Sequence, residues 1–585
     1  MRRILWTPWA SDGNGAAAIA VIAFLVVALT RATALPFSET ERPAAYDVIV
    51  YGGSSAGVTA AVQASRMGKT VLLISPTQHL GGMTASGLGA VDVGVSETIG
   101  GLAREFFSYA HRYYATAAPA VAADADSPDA EVVAAAVGAH LQFQLEPRVA
   151  EAVFGEMLRG TGVRYALGEQ LDRKTGVFHV GNRITELRMK SGRMFAGRMF
   201  IDATYEGDLL AAAGVRYRIG RESRAEFGES LAGVRRNPDL TAEADPYEVP
   251  SQPLSGLLPG VLAGPPGADG TGDRRVQQYN LRLCLTDAPA NRVAIERPES
   301  YDARNYQLLA RRLAQYPNAQ LTDIFKIQPL PGNKADLNAT GSFSSDMPGD
   351  ESSRWAEADD DERAAIKSVY RNYTQGLLWF VANDPAVSPT IRAQAAPWGL
   401  AKNEFADTEH WPWQLYVREA RRMSGSYVIT QRDCEGMTTV LDPVALGSYA
   451  LDSHKVTLFT DDTGQLNTEG FFFQPVEPYP ISYRALVPQP DECANLLVPV
   501  CVSATHVAFN SLRMEPVFMM LGQAAGTAAC LAIDQHTSVQ GVTYRSLAQQ
   551  LQTDDQILSW PVPDHPAASL LPVPAAAPVA GTLLP

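Results

Sequence analysis

From residue 46 onward, the pattern of apolar and polar positions predicts a strand, then a helix, then a second strand. Residues 46–51 (YDVIVY) predict a short buried strand, and residues 55–66 repeat Ala and Val at helical spacing. Gly68 ends that helix, and residues 70–74 (TVLLI) predict a second strand. Together they form a βαβ unit of about 30 residues, so we expect an α/β fold with a parallel sheet.

Further segments with strand or helix periodicity follow along the chain. A helix is predicted at residues 146–158, with Pro147 in its first turn, where proline is tolerated. Residues 300–430 are expected to be mostly helical and rich in aromatic side chains. The other predicted elements are strands at 163–166, 198–203, 277–285, 455–459, 484–487 and 496–500, a strand-to-helix transition at 203–214, an irregular segment at 227–273 and a long apolar helix at 514–533.

The start of the chain has the three parts of a secretion signal. Arg2 and Arg3 form a charged start, residues 16–29 are an apolar run without a charge, and residues 32–34 (ATA) are a small-x-small cleavage site. The apolar run is shorter than the ~20 residues of a membrane span. We therefore expect residues 1–34 to be a signal peptide and the protein to be exported, either periplasmic or secreted. Membrane attachment requires that this segment stays uncleaved. The two arginines also allow a twin-arginine signal.

The composition is that of a loop-rich globular enzyme. The chain has 585 residues, of which 46% are hydrophobic and 19% are charged, and it has no internal repeat. Its formal net charge is −15, and an acidic surface repels phosphate backbones, so we expect no nucleic-acid partner. A flexible insertion is expected at 117–136, and the Ala- and Pro-rich tail at 562–585 is expected to be disordered.

The five cysteines show no spacing typical of a zinc or redox site, and we expect no metal. Export permits disulfides, so a Cys493–Cys501 bridge stays open as a possibility. Cys530 lies in an apolar helix-like run and is expected to be a buried free thiol.

A glycine turn with the sequence GGSSAG joins the first strand to the helix. A dinucleotide site has the pattern G-x-G-x-x-G. Gly52 would make the tight turn, and Gly57 would let the helix pack closely on the strand. Ser54 takes the position of the middle glycine, and its hydroxyl is expected to donate a hydrogen bond to a phosphate. Because strands and a helix flank the turn at the right spacing, it predicts a dinucleotide site rather than a purely structural turn.

The end of the second strand departs from that pattern. An acidic residue usually binds the ribose there, whereas this chain has Ser75. No arginine stands nearby for a 2′-phosphate, which disfavours NADP. A second glycine-rich loop follows at residues 79–89 (HLGGMTASGLG), and such glycine density indicates backbone close to a ligand. A cofactor longer than NAD would need this second loop.

These runs carry a resemblance to a known family. The sequence YDVIVYGGSSAGVTAA, the loop HLGGM, and the later stretches IDATYEGDLLAAAGV and HVAFNSLRMEPVFMMLGQAAGTAA resemble the FAD-dependent oxidoreductases whose N-terminal segments read YGG(T/S)xAG and HLGGM. The resemblance covers nearly all of residues 46–552, although Ser75 stands where the family commonly has Glu. It implies FAD as the cofactor. It also implies a Rossmann-like FAD-binding domain at 46–240 and 481–552, with a mixed α+β substrate or cap region inserted at 241–480.

The family's motifs place the FAD contacts on particular residues. The first glycine turn would contact the pyrophosphate and Ser75 the adenosine ribose, while Gly81, Gly82 and Met83 would line the isoalloxazine. The helix beginning at Met514 would direct its N-terminus at the flavin's pyrimidine edge, where reduced flavin carries negative charge. The full set expected to bind FAD is Gly52, Gly53, Ser54, Ala56, Gly57, Ser75, Gly81, Gly82, Met83, Asp202, Ala203, Thr204, Gly207, Met514, Gly522 and Ala525.

The hydride chemistry belongs to the flavin, so the protein has to supply a base and to orient the substrate. His506 is the first choice for the base because it follows the strand predicted at 496–500 and precedes the helix expected to face the flavin. Asn510 and Arg513 are close in sequence and are expected to hold a carboxylate or hydroxyl. His506 could instead brace its loop. His79 could bond the flavin or attach to it covalently.

Three other features have two interpretations each. Arg282 could clamp an anionic substrate, although an arginine on a strand is more often paired or solvated. Residues 410–413 (HWPW) could form a substrate platform or pack in the core. Glu206 and Asp208 could act as an acid pair, but their place in the ATYEGD turn favours support of the cofactor.

We therefore expect an exported FAD-dependent dehydrogenase or oxidase that moves a hydride from a small polar, carbohydrate-like substrate to flavin N5. The sequence does not specify the electron acceptor. A flavin monooxygenase is the first alternative, but it would need NAD(P)H, and no second complete dinucleotide fingerprint occurs. An FAD-using carbohydrate lyase and a non-catalytic surface protein with an FAD fold are the others, and fold alone does not separate them.

Overall fold

The βαβ unit at the start of the chain is present in the computed structural model, which describes residues 45–121, 141–237, 244–341 and 343–561. Strand β1 (Ala45–Tyr51) leads through the glycine turn into helix α1 (Ser55–Arg66), which returns to strand β2 (Val71–Ser75). β1 and β2 pair in parallel, with Val48 opposite Val71. The three predicted elements are confirmed to within one residue at each end.

The rest of the described chain adds strands and helices of very different lengths, besides short 3₁₀ turns. The further strands are β3 (Arg164–Leu167), β4 (Val177–Val180), β5 (Arg183–Arg188), β6 (Met194–Asp202), β7 (Tyr217–Arg218), β8 (Val261–Leu262), β9 (Leu283–Thr286), β10 (Arg292–Val293), β11 (Phe325–Leu330), β12 (Lys334–Ala339), β13 (Gly399–Ala401), β14 (Arg422–Met423), β15 (Pro443–Gly447), β16 (Leu451–Ser453), β17 (Thr457–Thr460), β18 (Leu466–Glu469), β19 (Phe472–Gln474), β20 (Tyr479–Ser482) and β21 (Leu496–Leu497). The further helices are α2 (Gly101–Val121), α3 (Pro147–Leu158), α4 (Asp208–Ala212), α5 (Arg224–Phe227), α6 (Gln307–Gln315), α7 (Glu351–Trp355), α8 (Asp360–Asn383), α9 (Pro389–Ala395), α10 (Gln431–Cys434), α11 (His506–Leu512), α12 (Glu515–Asp534) and α13 (Tyr544–Thr553).

The largest sheet has seven strands in the order β3-β2-β1-β6-β5-β4, with β21 paired to β6. β1 is parallel to β2 and β6, β3 is parallel to β2, and β21 is parallel to β6. Only β4, β5 and β6 form an antiparallel meander. The carboxyl ends of the parallel strands meet at one edge, at Tyr51, Ser75 and Asp202, which is where ligands bind in open α/β sheets.

Both faces of this sheet are buried. Val48 and Val50 belong to a core that includes α1 and α12, while Ile49 belongs to a second core on the other face. The two helices meet backbone to backbone, because a Cβ on Gly522 would lie 2.3 Å from the carbonyl oxygen of Ala56. Among the described helices α12 alone is long and apolar enough to cross a membrane, but 94% of its most apolar 18-residue stretch is buried. That burial is typical of a core helix.

The strand predicted at 277–285 begins later in the structure. β9 starts only at Leu283. The preceding residues are held by side-chain hydrogen bonds, from Gln277 to Asn510 at 2.7 Å and from Asn280 to Asp346 at 2.8 Å. These distant polar partners, which the local alternation of residues does not reveal, replace a regular strand ladder.

The middle region was also predicted incorrectly as mostly helical. Helices α6 to α9 are present, but β11, β12 and β13 lie in the same part of the chain. They join β9 and β10, which precede it, in a five-stranded antiparallel sheet ordered β10-β13-β9-β12-β11. β11 and β12 form a hairpin whose turn contains Gly332 and Asn333, both with positive φ. A Gly-Asn pair between two strands is a hairpin signal that the helical interpretation overlooked.

Smaller differences concern short segments. Residues 484–487, predicted as a strand, lie largely in a 3₁₀ turn, Tyr483–Leu486, because the Ser482 hydroxyl accepts a hydrogen bond from the Arg484 amide and caps a helical turn.

Of the predicted insertion at 117–136, residues 117–121 belong to α2, and the rest lies outside the described residues. The expected signal peptide and tail also lie outside them. The domain division at 241 and 481 stays a prediction.

All five cysteines are free thiols. The Cys493–Cys501 bridge is absent, and each sulfur has its own polar neighbour. Cys501 Sγ lies 3.4 Å from the carbonyl oxygens of Thr204 and Tyr205, and Cys493 Sγ lies 3.6 Å from Asn495 Oδ1. The described residues contain no group of three or more His, Cys, Asp or Glu side chains that could hold a metal.

Candidate cofactor pocket and active site

A cleft of about 250 Å³ opens at the edge where the parallel strands end. Its wall includes seven of the predicted FAD contacts, namely Gly52, Gly53, Ser54, Ser75, Gly82, Ala203 and Thr204. The other predicted contacts are not part of the wall, namely Ala56, Gly57, Gly81, Met83, Asp202, Gly207, Met514, Gly522 and Ala525.

The first glycine turn leaves no room for side chains. Gly52 has a φ of +116°, and a Cβ there would lie 2.4 Å from the carbonyl carbon of Ala203. A Cβ on Gly57 would lie 1.9 Å from the oxygen of Gly52. The turn and the close packing of helix on strand therefore follow the predicted pattern, and the wall of the cleft is bare backbone here.

The hydroxyl of Ser54 is used differently from the prediction. It donates to the carbonyl oxygen of Ala203 at 2.6 Å and accepts from the Gly57 amide at 3.2 Å, which caps α1. A hydroxyl has one proton, so this one is not available to donate to a phosphate as expected. Any phosphate contact at this turn falls to backbone amides and to the positive end of the α1 dipole.

Ser75 lies in the wall, but its hydroxyl also has partners within the protein. It donates to the His79 carbonyl oxygen at 3.0 Å and accepts from the Thr77 amide at 3.3 Å. A Cβ on Gly53 would lie 2.6 Å from Ser75 Oγ, so Ser75 lies directly against the first glycine turn. The contact to the ribose stays a prediction.

The second glycine loop turns sharply against Tyr205. Gly81 and Gly82 both have positive φ, and a Cβ on Gly82 would lie 2.2 Å from the Tyr205 hydroxyl oxygen. The Met83 amide donates to that same oxygen at 2.9 Å. Of the three residues predicted to line the isoalloxazine, only Gly82 reaches the cleft wall.

Glu515 ties both glycine segments to the start of α12. Its carboxylate accepts hydrogen bonds from the hydroxyls of Ser55 at 2.6 Å, Thr84 at 2.7 Å and Tyr205 at 2.7 Å. Burial raises the pKa of Glu515, and the three hydrogen bonds counteract only part of that rise. Sequence reasoning missed this residue, although an acid in the first turn of a long helix is a recognisable signal.

Asp202 holds the turn after β6 by hydrogen bonds, although it is not itself part of the cleft wall. One carboxylate oxygen accepts from the amide and hydroxyl of Thr204, and the other accepts from the Leu210 amide at 2.7 Å. Burial raises the pKa of Asp202 to about 6, against the lowering effect of these bonds. Gly207 has a φ of +68° and begins α4. Asp202 and Gly207 thus shape the turn that presents Ala203 and Thr204.

The three predicted contacts on α12 lie away from the cleft. Met514 is the buried N-cap of the helix. Gly522 packs on α1, and Ala525 is fully buried in the same core. Their expected roles as FAD contacts stay predictions.

Asp208 is the centre of a charged part of the wall. Arg363 binds both of its carboxylate oxygens, at 2.7 and 2.9 Å, and Arg421 and Arg173 approach it at 3.1 and 3.4 Å. Burial alone would raise the pKa of Asp208, but the charge and hydrogen bonds of Arg363 outweigh it, helped by the other two arginines, so the pKa is lowered. A carboxylate held in this way is a poor proton donor, which argues against the acid-pair interpretation.

Helix α8 brings residues from the middle of the chain to the cleft. Asp360, Arg363 and Lys367 on this helix line it, as does Glu206 after β6. Glu206 accepts from Trp355 Nε1 at 3.0 Å. Burial raises the pKa of Glu206 despite the nearby charge of Arg363.

His79 is held between two carboxylates. Its Nδ1 lies 3.1 Å from Glu151 and its Nε2 lies 3.1 Å from Asp407. Burial lowers the pKa of His79, but the hydrogen bonds and charges of these two acids raise it by more, so the pKa is raised. The imidazole stacks on Trp413, with ring centroids 4.9 Å apart and an interplanar angle of 8°.

We expect acid precipitation of the purified holoprotein to release its flavin into the supernatant. A covalent link would need a free ring nitrogen, and both nitrogens of His79 are paired with acids. Visible spectra of the supernatant and the pellet check this. Flavin colour that stays with the pellet, and leaves it in His79→Gln, would contradict the expectation.

The predicted base, His506, lies at the start of α11 beside Glu419. Its Nδ1 is 2.7 Å from Glu419 Oε2, and Glu419 Oε1 is 2.9 Å from Arg422 Nε. An ionised carboxylate only accepts hydrogen bonds, so the neutral imidazole carries its proton on Nδ1 and a lone pair on Nε2. That Nε2 has no hydrogen-bond partner among the described residues, and His506 is 1% exposed, with the Phe472 ring edge-on to it.

Asn510 and Arg513 belong to the same polar cluster. Asn510 Oδ1 accepts from Gln277 at 2.7 Å and lies 3.4 Å from Arg513 Nε. Arg513 also donates to the Tyr416 hydroxyl at 3.0 Å. The structure therefore brings the three predicted catalytic residues together, and it adds Glu419 and Gln277, which sequence reasoning missed because they are distant along the chain.

The chain connects this cluster to the cofactor cleft on two sides. Arg513 and Met514 separate α11 from Glu515, which contacts both glycine segments. The amide of Gln414 donates to Ser86 of the second glycine loop at 2.9 Å, and Gln414 lines the cleft two residues before Tyr416.

Arg282 and residues 410–413 take different roles. Arg282 is buried and ion-paired with Asp336, which supports the paired interpretation. Trp411 is buried, with the guanidinium of Arg371 5.2 Å from its ring centroid. Trp413 alone of this segment lines the cleft.

The residues at the cleft fit a dinucleotide cofactor. Gly52 presents bare backbone to the cleft, Gly57 lets α1 pack closely on this turn, and α1 begins here with the positive end of its dipole. The wall also carries Arg173, Arg363 and Lys367, and the acids Glu206, Asp208 and Asp360 balance their charge.

The match to a known family agrees with a dinucleotide cofactor. Residues 47–551 match the family described as FAD dependent oxidoreductase, whereas no curated protein matches the chain. L-proline dehydrogenase from P. horikoshii is 15% identical, with a TM-score of 0.22 over 31% of this chain and 59% of that one. L-amino acid deaminase from Proteus vulgaris is 14% identical, with a TM-score of 0.20 over 32% and 55%.

A third solved structure, OxyS anhydrotetracycline hydroxylase from Streptomyces rimosus, is 13% identical, with a TM-score of 0.21 over 34% of this chain and 41% of that one. The chain thus covers less than two thirds of each of these structures, and scores this low say nothing about its reaction. The family match spans most of the chain and agrees with the mostly parallel sheet and the cleft at its edge. The protein belongs to the FAD-dependent oxidoreductase family.

Proposed function

We propose that the protein is an exported dehydrogenase or oxidase that takes a hydride from a small polar, carbohydrate-like substrate. FAD, when bound in the cleft, supplies the hydride acceptor. His506 removes the proton from the substrate's hydroxyl or amine through Nε2. The observation that carries this proposal is the His506–Glu419 pair, with Nδ1 held at 2.7 Å and Nε2 left without a partner in the described part of the chain.

Glu419 has a positioning role in this proposal. By accepting the Nδ1 proton it fixes the tautomer that leaves a lone pair on Nε2, and its negative charge favours the imidazolium that forms after proton transfer. Burial of the pair keeps bulk water away from the transferred proton.

Asn510 and Arg513 would orient the substrate. Both are buried, and both lie within one hydrogen-bonded cluster with Gln277. Arg513 presents a permanent positive charge, which suits a polar group of the substrate that carries negative charge or a lone pair.

Export is proposed from the N-terminal segment, whose charged start, apolar run and small-residue site form a secretion signal. A role outside the cytoplasm gives little access to NAD(P)H, which is a further reason to prefer a dehydrogenase or oxidase over a monooxygenase.

We expect a small polyol, sugar, hydroxy acid or amine to bleach the visible absorbance of the bound flavin in the absence of oxygen. The purified full-length holoprotein is mixed anaerobically with a panel of these compounds, and the spectrum is followed over time. Reduction by one compound class supports the proposal and names the substrate class. A holoprotein that dithionite reduces but no member of the panel reduces would argue for a lyase or a binding protein.

A further inference from the structure

The imidazole of His79 stacks on the indole of Trp413 at the cofactor cleft. The two residues lie far apart in sequence, and the fold places their rings nearly parallel, 4.9 Å between centroids. Trp413 is a wall residue of the cleft, whereas His79 packs behind it and is not part of the wall. The indole is thus a flat surface that is backed on one side and borders the cleft.

Trp413 is held in place from several directions. His79 is fixed by Glu151 and Asp407 through its two ring nitrogens. Lys367 Nζ donates to the Trp413 carbonyl oxygen at 2.6 Å, which anchors the backbone. A ring that is already ordered loses little entropy when a second ring stacks on it.

The other tryptophan of the wall is arranged differently. Trp355 Nε1 is bonded to Glu206, and the guanidinium of Arg363 lies 5.5 Å from its ring centroid. Trp355 therefore belongs to the charged part of the wall around Asp208. Trp413 is instead linked through His79 to the loop between Ser75 and Gly82, two residues of the wall that lie beside the first glycine turn.

We propose that the indole of Trp413, backed by His79, is the stacking surface for a planar heteroaromatic ring of FAD. FAD offers two such rings, adenine and isoalloxazine, and both bind aromatic side chains by the same dispersion and electrostatic attraction. The inference rests on FAD binding and is independent of His506, so a protein that binds FAD on Trp413 but oxidises no tested substrate leaves it intact.

The experiment is an equilibrium titration of apoprotein prepared from the full-length chain. FAD is added to wild type, Trp413→Ala, Trp413→Phe and Trp560→Phe, and binding is followed by quenching of tryptophan and flavin fluorescence. Trp560 is 39% exposed and serves as the matched control. We expect Trp413→Ala to weaken FAD binding about 10-fold, in line with base–aromatic stacking, and Trp413→Phe to stay within about 3-fold of wild type.

Titration with ADP and with FMN, which each carry one of the two rings of FAD, identifies the ring that stacks on Trp413. If adenine stacks on Trp413, the affinity for ADP falls in Trp413→Ala while that for FMN does not, and if isoalloxazine stacks, the pattern reverses. Equal FAD affinity in wild type and Trp413→Ala would overturn the proposal. So would a Trp413→Phe protein that binds FAD as weakly as Trp413→Ala, because a purely structural role needs the full indole rather than any aromatic face.

Discussion

Replacing His506 with glutamine should slow reduction of the bound flavin by substrate about 10²- to 10⁴-fold, the range for loss of a general base. Glutamine keeps a polar group beside Glu419 but has no basic nitrogen. The rate of flavin bleaching in anaerobic rapid mixing, once a reducing substrate is found, measures the effect. FAD content should not change, because His506 is not part of the cleft wall.

Two variants separate catalysis from folding in this test. His179→Gln changes an exposed histidine on strand β4 and should behave as wild type. Glu419→Gln should slow bleaching less than His506→Gln while leaving the apparent substrate affinity nearly unchanged, since its proposed effect on the reaction passes through the imidazole. An unchanged bleaching rate in His506→Gln would show that His506 only braces its loop.

Asp208→Asn should lower the free energy of unfolding by about 3–5 kcal/mol, the cost of removing one partner from a buried ion pair. Arg363, Arg421 and Arg173 all converge on this carboxylate. Without its charge, three guanidinium groups repel one another at the edge of the cleft. Chemical denaturation of the apoprotein measures the change, and FAD should also bind more weakly because Asp208 and Arg363 both line the cleft.

A surface pair provides the control for this prediction. Asp269 pairs with Arg224, and both side chains are largely exposed, so Asp269→Asn should cost no more than about 1 kcal/mol. If Asp208→Asn costs no more than Asp269→Asn, the three-arginine cluster does not stabilise the fold.

The same variant has a defined pH dependence. The pKa of Asp208 is lowered in the folded protein, so its contribution is complete above the ordinary aspartate pKa of about 3.9. It is lost as the pH falls through the lowered value. The stability difference between wild type and Asp208→Asn should therefore be constant near neutral pH and shrink in acid below about pH 4.

Local patterns predicted the parts of the fold that depend on near neighbours. Strand β1, helix α1 and strand β2 follow from a buried run, a helical repeat and a second buried run, and the structure has them within one residue. Gly52 and Gly57 follow from the same pattern. A Cβ on Gly57 would clash with Gly52, whereas the clash of a Cβ on Gly52 is with Ala203, directly after β6.

Patterns of this kind failed where the decisive partner is far along the chain. Residues 277–282 alternate like a strand, but hydrogen bonds from Gln277 to Asn510 and from Asn280 to Asp346 hold them in another conformation. Ser54 looked free to donate to a phosphate until the turn after β6 placed the Ala203 carbonyl 2.6 Å away.

The sequence by itself determined the α/β class, the dinucleotide turn, the long core helix and, through its family motifs, FAD. These depend on spacing and backbone sterics, which act over a few residues. Only the tertiary structure decided which side chains meet: Glu419 with His506, three hydroxyls with Glu515, three arginines with Asp208 and His79 with Trp413. Hydrogen bonds, ion pairs and ring stacking act only at contact distance, and the fold alone brings such distant residues together.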